Sequence, residues 1–201
     1  SKHLSSNMIL PWIDEIGLIA SNPNKNILKN FPLSVKRVVV SSVVRYFHTQ
    51  YQHAVSQLTT EAHVLWVMEV IGQSFQLPIE DHEVINMAID LYHKWLFNEA
   101  DRPEPVKENL QYFIQEIFRH FSNIFASRAD KTNKSTKDVQ QVKPSVLKDH
   151  IFLCNRVLDI FLQMGVHGDM IDEKTWCHLL KIIIGVTDAT IRGTMGIPEL
   201  T

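Results

Sequence analysis

Residues 59–128 read TTEAHVLWVMEVIGQSFQLPIEDHEVINMAIDLYHKWLFNEADRPEPVKENLQYFIQEIFRHFSNIFASR, and this stretch decides the fold. Val64, Val67, Met68, Ile71 and Phe75 recur at helical spacing, with Leu65, Trp66 and Val70 widening the face, so this segment must pack on more than one side. Thr59 and Thr60 stand where N-caps belong, and Leu77 and Pro78 close the segment. Asp81 is expected to cap the next helix, with Val84, Ile85, Ala88, Ile89, Leu91, Tyr92, Trp95 and Leu96 inward and Asn86, Asp90 and His93 outward. Pro103 and Pro105 restart the chain into a further amphipath, in which Leu110, Phe113, Ile114, Ile117, Phe121, Ile124 and Phe125 oppose Gln111, Gln115, Arg119, Ser122 and Asn123. Helices with faces this wide, joined by short Pro-marked turns, must bury them on one another, which predicts a packed all-α unit.

On the N-terminal side, Leu33 to Phe47 places Val35, Val38, Val39, Val43, Tyr46 and Phe47 at helical spacing, with Ser42 the weak member. The β-branched run Val38 to Val40 leaves a buried strand as the alternative there. A shorter helix is predicted after Pro11, with Trp12, Ile13, Ile16 and Ile19 on one side and Asp14 and Glu15 in its first turn. On the C-terminal side, two more helices are predicted over 145–164 and 172–191, with Gly165 and Gly168 marking the turn between them. The polar run between, residues 129–144, is expected to be a mobile lysine-rich loop, because it offers little apolar area to offset the entropy of ordering. No segment repeats another closely, which disfavours TPR, ankyrin and leucine-rich arrays. Degenerate antiparallel helix pairs remain, so the expected architecture is one helical-repeat domain over residues 1–201, a HEAT- or armadillo-like superhelix fragment of about six to seven helices.

The formal charge of -2 argues against a nucleic-acid footprint, which needs clustered Lys and Arg; only the short lysine-rich run departs from this balance. Cys154 and Cys177 do not make a disulfide framework, so a reducing, cytoplasmic setting is expected. No apolar run approaches the length of a membrane span: Glu69 and Gly72 interrupt one candidate and Lys181 the other. The chain opens on Ser1 without a signal-like region and is expected to be part of something longer.

Chemistry is hard to find. Asp81, His82 and Glu83 form the nearest metal-like cluster, but an N-cap followed by first-turn charges explains them; no histidine stands in an H-E-x-x-H pattern, and the two cysteines do not have ligand spacing. His167, Gly168 and Asp169 read as ordinary turn residues. No glycine-rich phosphate loop occurs. Cys154 and Cys177 fall on apolar faces and read as buried, inert thiols. Glu69, mid-helix among apolar neighbours, is the one candidate general base, and a small α-helical hydrolase using it with nearby histidines is the rival from another functional class. Gln73 and Gln76 lie on its side of the helix, and a shared polar stripe is the simpler reading. Trp12, Trp66, Trp95 and Trp176 are spread one to a helix, as core anchors are.

As text, Val64-Leu65-Trp66-Val67-Met68-Glu69-Val70-Ile71-Gly72, then Leu77-Pro78-Ile79, then Ala88-Ile89-Asp90-Leu91-Tyr92-His93-Lys94-Trp95, resembles the N-terminal region of the non-catalytic beta subunit of the Ral GTPase-activating protein complex. Similar register continues through Phe31-Pro32, Val43-Val44-Arg45, Asn109 to Tyr112 and Asn123-Ile124-Phe125, and more loosely at Arg156-Val157-Leu158 and Thr175-Trp176. The segment before Asn24, the lysine-rich run and the end after Ile191 match poorly. The resemblance implies a large cytosolic protein with a helical N-terminal part, paired with a catalytic alpha subunit that acts on Ral-bound GTP. No position matches the catalytic asparagine motif of that partner, so no catalytic, cofactor or metal residue is carried over. The resulting expectation is a non-enzymatic scaffold or heterodimerisation element whose partners are the alpha subunit and, indirectly, Ral-type GTPases. The rival from the same class is an interaction module of another large helical-repeat protein. Self-association of the isolated chain is expected wherever apolar repeat ends lie open.

Overall fold

The computed structural model describes residues 31–132 and 144–166 and scattered positions between 172 and 184. Pro32 precedes α1, Leu33–Thr49. Gln50 breaks the chain into a short α2, Tyr51–Ser56. At α3, Glu61–Ser74, Thr60 acts as its side chain predicts: its Oγ1 accepts the His63 N–H at 3.2 Å. A 3₁₀ turn over Ile79–Asp81 leads into α4, His82–Phe97, and a second over Glu99–Asp101 leads through α5, Glu104–Glu108, to α6, Leu110–Thr132. The last complete element is α7, Pro144–Val166. No strand occurs among the described residues, so the Val38 to Val40 run is helical.

α4 is the central element, packed against α1, α3 and α7, while α3 also meets α1, α5 and α6. The core between them is aromatic. Tyr92 of α4 touches Phe75, Trp95 and Phe121 at centroid separations of 5.8, 6.1 and 5.7 Å, and Phe161 of α7 reaches Phe118 at 5.2 Å. Fully burying such a side chain contributes about 1.5–3 kcal/mol, so this cluster holds three helices against one another. The wide apolar face predicted for α3 is buried as expected, from Val64 to Phe75.

Four expectations shift once neighbours are in place. The buried stripe of α1 is Val40, Val43, Val44 and Phe47, whereas Val35 and Val38 are 42% and 67% exposed. The helix carries apolar residues on two sides, and only one of them meets α3 and α4. Asp81 occupies the N-cap position of α4 without capping it; its carboxylate is taken by Arg37 of α1, with Nη2 and Nε each at 2.7 Å. Asn86, Asp90 and His93 are half-buried rather than simply turned outward: Arg156 of α7 donates to Asn86 and Asp90 at 2.8 Å each, and His93 meets Gln163 at 3.2 Å. With neighbours on three sides of this helix, part of its polar stripe is answered by a neighbour's arginine. Cys177 is exposed, because Trp176 rather than Cys177 turns inward, against Gly165, while Cys154 is half-buried against the core.

The polar run behaves as helix at both margins, since α6 continues through Thr132 and α7 begins at Pro144. Residues 133–143, the helix predicted after Pro11 and the turn at His167 to Asp169 lie outside the described residues.

Candidate functional site

Glu69 projects from the middle of α3, one turn before Gln73, whose Nε2 donates to its Oε1 at 2.9 Å. Across the gap, α6 presents Arg119 and His120 side by side. Arg119 Nη2 lies 4.0 Å from Glu69 Oε2 and 2.7 Å from Glu116 Oε2, so one guanidinium spans carboxylates of two helices. The shared polar stripe predicted for Glu69 and Gln73 is present, and Arg119 extends it to α6.

His120 sits beneath this ion pair, 3% exposed. Its Nδ1 is 2.6 Å from the Tyr92 hydroxyl, and that hydroxyl donates its proton to the Met68 carbonyl at 3.0 Å. A hydroxyl has one proton to give, so Nδ1–H must donate to the tyrosine oxygen. The other nitrogen, Nε2, then carries a lone pair facing Arg119 Nη2 at 3.1 Å. The network therefore assigns a neutral imidazole protonated at Nδ1. Burial, reinforced by the Arg119 charge, lowers the His120 pKa to about 4 against the pull of Glu69 and Glu116. Burial likewise raises the Tyr92 hydroxyl well above its ordinary value, assisted by Glu69.

The ring also lies nearly coplanar with Tyr92, end to end with it at a centroid separation of 5.9 Å and planes 15° from parallel, and presses against the backbone of α3 at Gly72. A β-carbon there would stand 2.6 Å from the ring's Cδ2 and Nε2. Glycine in a helix interior costs about 1 kcal/mol relative to alanine, and this close approach is the reason it is present.

The circuit running from Gln73 through Glu69, Arg119 and His120 to Tyr92 and Met68 binds three helices. A general base needs a lone pair turned toward a substrate, and here Glu69 accepts from Gln73 and faces Arg119. Sequence reasoning left His120 out. Its position, seven residues after Phe113 and three after Ile117, lies on the apolar face of α6, and that spacing was the available signal.

The other singled-out cluster separates in space. Asp81 pairs with Arg37, Glu83 faces Arg45 at 3.4 Å, and His82 faces Asp149 of α7 at 3.9 Å. The first turn of α4 is thus a junction to α1 and α7. Among the described residues no group of His, Cys, Asp and Glu has metal-holding geometry, and no helix is long and apolar enough to cross a membrane.

Residues 146–199 match the family described as the RALGAPB N-terminal domain. Among curated proteins, the chain is similar to a Rap-GAP domain-containing protein of Dictyostelium discoideum, 39% identical over 110 residues that cover 51% of this chain and 6% of that protein. It is also similar to Ral GTPase-activating protein subunit beta of Rattus norvegicus, 26% identical over 172 residues covering 81% of this chain and 10% of the relative. The Homo sapiens subunit beta is 24% identical over the same share of each. The chain spans about a tenth or less of the length of these relatives. No solved structure matches it.

Proposed function

We propose that this chain, a relative of the Ral GTPase-activating protein beta subunit over that protein's N-terminal region, is a non-catalytic helical scaffold that binds the catalytic alpha subunit and so supports GTP hydrolysis by Ral-type GTPases in the cytoplasm. The HEAT- or armadillo-like superhelix belongs to the same reading, since consecutive helices packing on their neighbours are what such an array requires.

One observation carries the scaffold role. The segment that matches the family takes in α7 from residue 146 onward, and α7 exposes Ile151, Phe152 and Leu162, the last 70% accessible. Apolar side chains left open on a packed helix offer a surface at which another protein can dock. Stimulating GTP hydrolysis directly would instead require a polar group delivered to the phosphates or the attacking water. The buried polar circuit at Glu69, Arg119 and His120 is engaged within the fold, which supports a non-enzymatic part.

The test has two arms. A single-turnover assay of a Ral-type GTPase with the purified chain is expected to match buffer alone, and clear stimulation overturns the scaffold reading. Capture of the alpha subunit by the full-length protein is expected to fall at least about tenfold with Leu162→Asp and Phe152→Asp together, as hot-spot loss at an interface does; undiminished capture removes α7 from the interface.

A further inference from the structure

The outer face of α7 carries a pattern of its own. Leu153, Val157, Ile160, Phe161 and Met164 form the core stripe of this helix. On the opposite side lie Lys148, Ile151, Phe152, Asn155, Asp159 and Leu162, and all six are exposed. Among the described residues, neither Asn155 nor Asp159 has a side-chain partner.

Phe152, Asn155, Asp159 and Leu162 stand three, four and three residues apart, the alternation of a coiled-coil seam. Their order, apolar, polar, polar, apolar, reads the same from either end. An antiparallel copy of the helix, crossing at the level of Val157, therefore sets Phe152 beside Leu162 of the second copy and Asn155 beside Asp159 of the second copy, each twice by two-fold symmetry. The Asn155 amide donates where the carboxylate accepts, whereas a wholly apolar partner would leave Asp159 desolvated and unpaired. The same register carries Lys148 to the C-terminal end of the second copy's α7, where a cation is favoured.

We propose that α7 pairs antiparallel with α7 of a second copy of this chain through this seam. A seam of about three turns buries on the order of 1,000 Å² or less, so the pair is reversible. It covers the face assigned above to the alpha subunit, and the two partners compete for it. Association of the chain alone is measured without that subunit, so either reading can fail while the other stands.

Sedimentation equilibrium of the 201-residue chain tests the pairing. The average mass is expected to climb from one chain toward two between about 1 μM and 1 mM, the range open to a small interface. Asn155→Asp sets carboxylate against carboxylate and should weaken association at least about tenfold. Asn155→Lys sets an ammonium against each carboxylate and should tighten it, whereas in a parallel pair the same change would oppose like charges. Val38→Asp, at an exposed apolar position of α1, should leave association intact. A monomer at every concentration overturns the proposal. So does association that Asn155→Asp does not weaken, that Asn155→Lys does not tighten, or that Val38→Asp abolishes.

Discussion

His120 presses against Gly72 so closely that a β-carbon at position 72 would lie 2.6 Å from the imidazole. The ring has little room to retreat, because Tyr92 abuts its edge and bonds to Nδ1 while Arg119 lies against Nε2. A residue without a side chain on α3 thus sets how near α6 can come.

Gly72→Ala is expected to destabilise the fold by about 1–2 kcal/mol, overpacking outweighing the gain of about 1 kcal/mol in helix propensity. Urea denaturation measures the loss. In the His120→Ala background the same change should become neutral or stabilising, since the ring it meets is gone. A stability gain in the unaltered chain would show that the ring can move aside.

Stability should fall as pH drops from about 6.5 toward 4. The folded His120 pKa of about 4 lies below the ordinary value of 6.5, so between them the unfolded chain binds the extra proton. The neutral imidazole's contribution is complete above the unfolded value and is lost progressively down to the folded one. Its size is of order 3 kcal/mol. Urea midpoints across this range, compared with those of His120→Gln, isolate the contribution; parallel profiles would contradict it.

Arg156→Met should weaken the fold by about 1–3 kcal/mol, the range for losing hydrogen bonds to a charged group. Its guanidinium bridges α7 to both Asn86 and Asp90. Asp90 would keep only the His48 contact at 3.4 Å. Asp90→Asn should show strong coupling to Arg156→Met in a double-mutant cycle, and simple additivity would place the arginine's contribution elsewhere.

Arg102→Ala should loosen the end of α4. Its Nε and Nη2 donate to the Trp95 and Leu96 carbonyls at 2.6 Å each, satisfying acceptors that a helix terminus leaves without intrahelical partners. A loss of about 1–2 kcal/mol is expected, with faster amide exchange at Leu96 and Phe97 while the amides of α3 are unaffected. Uniform acceleration across both helices would indicate a global rather than a terminal effect.

Much of the fold was legible in the letters. The period of Val64 to Phe75, of Val84 to Leu96 and of Leu110 to Ile124 determined three helices and their principal apolar faces, and Thr60 determined where one of them starts. These are local properties: helical spacing and a capping hydroxyl act over a turn or two, and neighbouring residues suffice to set them.

Only the tertiary structure decided the rest. Which side of α1 enters the core depends on where α3 and α4 lie, and a helix with valines on two sides does not contain that information. Asp81 had the right chemistry for a cap, yet Arg37, 44 residues earlier, gives its carboxylate a charged partner at 2.7 Å, and ion pairing displaces the local hydrogen bond. The stripe of Asn86 and Asp90 reads as a solvated face until Arg156, 66 residues beyond Asp90, arrives against it. Glu69 and His120 become members of one network only when α3 and α6 are laid together. Side-chain electrostatics act over distances of a few ångströms, and folding rather than sequence order decides which charges come that close.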